Sequence, residues 1–352
     1  MTRDVGPPDL DVALLDGFRY ACRPGCGLCC FATPRATEPE ILRLRRIEPA
    51  LRTLVDGRDR VLAARDLGGA CQFLSGLRCR VHEARPHPCR EFPLTVHVGE
   101  RLQATVVLSC PGVEMDRFAS DVAAGGHGAG ASGFETELSS LRSRVTASTG
   151  RRIDEAVRRR RRVARQLQAE GRWMEEDEIR DELRKEIPFP ADADFPVDDP
   201  PNAEGPLEEL PLYFDHRKGP VVVGSRMGAW EAAELAETGG ARPIGFAIPA
   251  SRRPRLTENA RELLRRYLEY CLQRDSFLAG WMLDTLSADE GDLLDWTGRG
   301  LRELGATVLA RADFRARLAR GPVESLSVTD VALGVRATDQ EWLDRPTWGD
   351  RL

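Results

Sequence analysis

Eight of the nine cysteines fall in one stretch, at Cys22, Cys26, Cys29, Cys30, Cys71, Cys79, Cys89 and Cys110, and the rest of the 352-residue chain holds only Cys271. Sulfur used so locally serves disulfide bridging, metal ligation or simple burial. Bridges need an oxidising compartment. The opening residues are acidic and broken by Pro7 and Pro8, without the basic and then apolar segments of an export signal, so the reading expects a reducing cytoplasmic setting. Burial would scatter cysteines along apolar periodicities. Here they sit in loop contexts such as Arg23-Pro24-Gly25-Cys26-Gly27 and His87-Pro88-Cys89-Arg90. Metal ligation is the reading that fits the context.

The spacing is C-x3-C-x2-C-C, forty residues, then C-x7-C-x9-C-x20-C. Eight thiolates can fill two four-sulfur sites, or one site with thiols left over. Adjacent Cys29 and Cys30 diverge on an extended backbone, which favours two centres or one multinuclear centre. Zinc ribbons show paired short knuckles, and Cys71-x7-Cys79 is not one. Iron–sulfur ligands are spaced more loosely, and Cys110-Pro111 has the Cys-Pro form found in one of their runs. The all-sulfur inventory suits both metals, with iron–sulfur preferred to zinc. Such a centre is anionic, and Arg23, Arg80, Arg85 and Arg90 are the nearby cations in sequence. His82, His87 and His97 are read as surrounding or surface residues, His127 and His216 as having no part, and Cys271 as core.

The expected fold class is α+β: a small cysteine-rich metal-binding domain with short β-hairpins and helices (1–118), then a mostly helical region with a few strands. Residues 119–133 read as a Gly-rich linker, 134–187 as a charged helical segment, 188–211 as a Pro-rich acidic connector and 212–352 as a mostly α C-terminal domain of unknown role. Thr37 followed by Glu38, Pro39 and Glu40 marks a helix start. Further helix is expected over 51–67, a turn at Ser75-Gly76, and a hairpin of 94–98 with 102–108 around Gly99-Glu100 that carries Cys110 back to the other thiols. Strands are expected at 212–214, 221–223 and 244–248 with a helix at 229–237 between the last two. Helices follow from Thr257 and at 277–286, 288–296 and 300–320, and Trp342 and Trp348 are expected to be tucked in.

Net charge is −5, which gives no general attraction to nucleic acid or anionic membrane. The run Arg158 to Arg162 is answered by acidic neighbours, and the reading is a salt-bridge-laced helix pair rather than an RNA-binding arm. No apolar run reaches the length of a membrane span. The expected partners are thus neither membrane nor nucleic acid, and a protein partner or substrate is left unnamed.

The run Cys22-Arg-Pro-Gly-Cys26-Gly-Leu-Cys29-Cys30, then Cys71-Gln-Phe-Leu and Leu77-Arg-Cys79-Arg-Val-His-Glu-Ala-Arg85-Pro-His-Pro-Cys89-Arg-Glu-Phe-Pro93, resembles the YkgJ-like cysteine-cluster family, described as zinc- or iron-chelating. The acidic helix start Thr37-Glu-Pro-Glu-Ile41 resembles it too, and the likeness covers about residues 18–115. It implies a metal-chelating domain, often labelled an iron–sulfur protein, without an agreed reaction. Two features depart from the pattern: three residues between Cys22 and Cys26 where two are common, and His82 where a tyrosine is common. A related branch acts on flagellin as a lysine N-methylase, but its Tyr-Pro-Arg after the last cysteine is absent here. The function expected is a metal-binding, iron–sulfur cysteine-cluster protein serving redox or metal-dependent modification. The alternatives are a zinc-stapled interaction module without catalysis, or a lysine N-methylase-like enzyme.

Overall fold

The structure, a computed structural model, describes residues 8–23, 25–31, 34–56, 59–62, 70–115, 118, 133–187, 212–215, 219–226, 229–236, 241–247 and 254–343. The expected linker (save Gly133), the acidic connector, His127, His216 and Trp348 lie outside them. The architecture is α+β, with small sheets in the first third and long helices after it. Strands β1 (Leu10–Asp11) and β2 (Arg19–Tyr20) lead to the first cysteines. Strand β3 (Arg35–Ala36) precedes helix α1 (Glu38–Ile47), and β4 (Thr53–Asp56), β5 (Asp59–Leu62), β6 (Leu74–Ser75) and β7 (Arg78–Cys79) follow. Then come α2 (His87–Glu91), β8 (Leu94–Val98), β9 (Leu102–Val106) and β10 (Val113–Glu114).

Residue chemistry sets these boundaries. Thr37 and Glu40 form a capping box, the Glu40 carboxylate accepting from the Thr37 amide (2.9 Å) and hydroxyl (3.0 Å), while Pro39 sits where a missing N–H costs nothing. Of the helix expected over 51–67, residues 57, 58 and 63–67 lie outside the described residues, and the rest includes the hairpin β4–β5, paired from Thr53↔Leu62 to Asp56↔Asp59 and flanked by β3. The β-branched Thr53, Val55 and Val61 outweigh helix propensity there. Strands β6 and β7 turn through Gly76 (φ 56°) and Leu77 (φ 58°), as the Ser75-Gly76 signal anticipates. The β8–β9 hairpin also forms, with β1 running parallel on its outer edge.

The second half contains α3 (Glu135–Arg144), α4 (Ala147–Ala169) and α5 (Glu176–Glu186), then a four-stranded antiparallel meander of β11 (Leu212–Asp215), β12 (Gly219–Arg226), β13 (Ala229–Leu235) and β14 (Ala241–Ala247). The helix expected at 229–237 is therefore strand β13. Its Ala, Glu and Leu content favours a helix, but β12 and β14 pair with it on both edges, and Ala232 is fully buried against Phe314 and Ala337.

Strand β15 (Arg255–Leu256) opens α6 (Glu258–Gln273), capped by Thr257. Helices α7 (Asp275–Ser287) and α8 (Leu293–Arg320), strand β16 (Ser325–Leu326) and α9 (Val328–Leu343) complete the body. The two helices expected at 288–296 and 300–320 are one: Asp292 caps α8, and the helix runs straight through Gly298 and Gly300. Gly300 is not a breaker here. A Cβ at that position would lie in the indole ring of Trp281, so the residue lets α7 and α8 approach. The charged helices are laced as expected, with Arg160 bridging Glu100 and Glu176, and Arg180 bridging Glu176 and Asp275. Among the described residues, no helix is long and apolar enough to cross a membrane.

One large core runs from Leu14, Leu15 and Phe18 through both strands of the β8–β9 hairpin to Leu263, Tyr267, Trp281, Leu304 and Val335. A separate small one, built on Ala36, Ile41, Leu44, Leu51, Leu62, Cys71, Phe73 and Val81, supports the cysteine-bearing loops.

Candidate metal centre

Local backbone geometry gathers the cysteines. The first four follow strand β2, and the amides of Cys26 and Cys30 close tight turns on the carbonyls of Arg23 (3.2 Å) and Gly27 (3.0 Å). Gly27 adopts φ 65°, and a Cβ there would meet the side chains of Leu74 and Leu77 at 3.2 and 3.3 Å. The turn is thus seated directly beneath the β6–β7 hairpin. The Cys71 amide donates to the Cys30 carbonyl at 2.6 Å, and β6 pairs Leu74 with Cys79, so Cys30, Cys71 and Cys79 share one corner.

Cys89 sits in the first turn of α2. That helix is fixed at its start by Glu40, whose carboxylate accepts from the His87 amide at 2.8 Å and meets His87 Nδ1 at 3.0 Å. Burial pushes the Glu40 carboxyl up, but the hydrogen bonds from His87 and Thr37 win and hold it at about 2. At the other end of α2, buried Glu91 accepts from Ser140 and forms an ion pair with Arg144, both on α3.

Cys110 returns by the route the hairpin signal anticipates. Strand β10 pairs antiparallel with β2, Val113 opposite Tyr20, and the Ala21 amide donates to the Gly112 carbonyl at 3.0 Å. A side chain at Gly112 would strike the Ala21 carbonyl, so glycine permits this closeness. The strand pairing sets the Cys110 turn beside the segment that leads into Cys22.

The thiols act on one another electrically. Cys30 hydrogen-bonds with both Cys29 and Cys79; it holds its proton, while Cys29 is lowered and Cys79 is pulled down to about 6 by that bond ahead of the opposing effect of burial. Cys89 is raised, by burial first and then by Cys29, Cys71 and Cys79. Cys110 is pushed up to about 12, again by burial first, with Cys26 and Cys29 contributing. The Tyr20 hydroxyl, also raised by burial first, feels Cys110 and Cys22 and hydrogen-bonds to Cys22. Seven of the eight cysteines thus belong to one electrostatic neighbourhood, and Cys22 joins it through Tyr20. Among the described residues, no group of three or more His, Cys, Asp or Glu side chains is arranged to hold a metal ion. The donor chemistry is that of a thiolate-bound zinc or iron centre, and all eight cysteines are free thiols.

Of the four arginines named from sequence, Arg85 exerts its charge on Cys29, Cys79 and Cys89. Arg80 faces Glu48 and the Gln72 carbonyl, and Arg90 faces Glu40. His82 is exposed beside Glu83, and His97 is buried in β8. Cys271 is buried in the large core, as its helical position suggests. Sequence reasoning missed Tyr20 and Arg336. The second lies on α9, and its guanidinium reaches the carbonyls of Leu108, Cys110 and Val113. Nothing local in the sequence announces a contact of that span.

The class this arrangement defines is a cysteine-rich region of free thiols. Residues 21–111, which include all eight cysteines, match the family model CxxCxxCC, described as a putative zinc- or iron-chelating domain; the match includes nothing beyond residue 111. No curated protein and no solved structure matches the chain.

Proposed function

We propose that the first third of the chain binds a cysteine-ligated iron–sulfur centre through Cys22, Cys26, Cys29, Cys30, Cys71, Cys79, Cys89 and Cys110, and that the protein is a cytoplasmic one serving electron transfer or metal-dependent modification. The observation that carries this is that thiols from four separate segments lie close enough to act on one another's charge, with Arg85 and Arg336 as cations acting on them as well. Eight sulfurs exceed what one zinc ion takes. An iron–sulfur centre would supply one-electron transfer. The chain's own part is to deprotonate and orient sulfur: Cys29 and Cys79 are the thiols already lowered, and Arg85 offsets the negative charge that thiolates accumulate.

A second reading, a zinc staple for a protein-interaction module, is favoured by the small core beneath the loops, because a metal can contribute folding energy where packing is scarce. Preparation without air, elemental analysis and visible absorption separate the two. Brown protein with iron and acid-labile sulfide supports the first reading, and colourless protein with stoichiometric zinc replaces it with the second.

A further inference from the structure

Resting on the reading that Cys110 is a ligand, we propose that Arg336, on α9 and outside the cysteine-rich region, is the residue that positions Cys110 toward the metal centre. Its Nη1 donates to the carbonyls of Leu108 (3.1 Å) and Cys110 (2.5 Å), and its Nη2 to that of Val113 (2.6 Å). These three acceptors span the turn that presents the Cys110 thiol. The turn has little regular structure of its own: the Cys110 amide bonds to Val107 and the Val113 amide to Cys110, both at 3.1 Å.

The rest of the anchorage also comes from the helical body. Asp339, three residues further along α9, accepts from the Leu108 amide at 2.7 Å, and Arg274 of α6 donates to the Val106 carbonyl at 3.0 Å. Beyond the turn, β10 pairs with β2, which runs into Cys22. A planar fork with several rigid donors suits three carbonyls at once, where a lysine would satisfy fewer. The helical body thereby presents one ligand of a centre whose other sulfurs are held by the cysteine-rich region.

The test uses the full chain purified without air. It measures the rate of metal release to a chromophoric chelator and, by mass spectrometry, iodoacetamide labelling of each cysteine before and after metal removal. In Arg336→Gln, metal release is expected to accelerate about 10–100-fold, the usual penalty for losing an outer partner of a ligand. Cys110 should become reactive in the loaded protein while Cys29, Cys30 and Cys79 stay protected. Arg336→Lys should fall between Gln and the unaltered chain. It carries the test alone if the Gln variant does not fold. Release and Cys110 protection like the unaltered chain in the folded variants overturn the proposal and leave Arg336 a brace for α9. If the unaltered chain holds metal but Cys110 labels equally with and without it, the proposal fails while the metal reading stands. A chain that holds no metal removes both.

Discussion

The cysteine-bearing loops and the helical body are stabilised by different means. Beneath the loops lies a core of eight described residues, one of them Cys71, joined by backbone turns and by the Glu40 carboxylate. In the body, helices α3 to α9 and the β8–β9 hairpin share a continuous apolar interior that includes edge-to-face contacts of Phe18, Phe118, Tyr267 and Tyr270. The body also buries an ion pair, Arg274 with Asp339 at 2.7 Å, both almost without exposure. A region rich in apolar side chains can meet the entropy of folding by packing alone, and a region rich in glycine, proline and cysteine has to find another source.

The largest expected effect breaks the comparison open. Chelation under reducing conditions should unfold the loops and leave the helices standing, since metal binding in small thiolate domains is worth about 10–16 kcal/mol of folding energy. Hydrogen exchange checks this: amides from β3 to α2 should lose protection while α6, α7, α8 and α9 keep theirs. Uniform loss, or none, would contradict the division.

The second effect belongs to the body. Asp339→Ala leaves Arg274 buried without its partner and should cost about 3–5 kcal/mol in denaturant unfolding, whereas replacing both with apolar residues of similar size should cost far less. Arg274 also lies over the Tyr270 ring at 4.4 Å and reaches the Val106 carbonyl, so the single change loosens the hairpin as well.

The smallest effect is a pH signature of the loops. Glu40 is depressed from 4.5 to about 2, so its contribution is present above pH 4.5 and is lost as pH falls toward 2. With a side chain only 9% exposed, that contribution is at most about 3 kcal/mol. In Glu40→Gln, the acid unfolding of the loops should flatten across this window, and the body's profile should not change. Far-ultraviolet and near-ultraviolet circular dichroism followed in parallel would show it.

Where the sequence carries local chemistry, it was legible. The cap at Thr37, the Ser75-Gly76 turn, the alternation from Leu94 to Val106 and the cap at Thr257 all appear where their residue types place them. The misreadings at 229–237 and at the start of α8 share one cause, that distant partners overrode local preference. Helix formers at 229–235 became a strand because strands on both sides pair with it, and Gly298 and Gly300 look like breaks until Leu183 and Trp281 are seen against them. The site divides in the same way. Its sulfurs are conspicuous along the chain, but Arg336 is recognisable only after α9 has packed back against the turn carrying Cys110.

The β8–β9 hairpin has a practical side. Every residue of β9 is buried, its far neighbours being helices more than 150 positions further along the chain, and the Val106 amide donates to the Tyr270 hydroxyl. Cutting the polypeptide just after Phe118 would release a piece whose sheet shows bare aliphatic surface to water, an invitation to clumping. Whoever wishes to study the sulfur-rich portion by itself should carry α6 and α9 along with it.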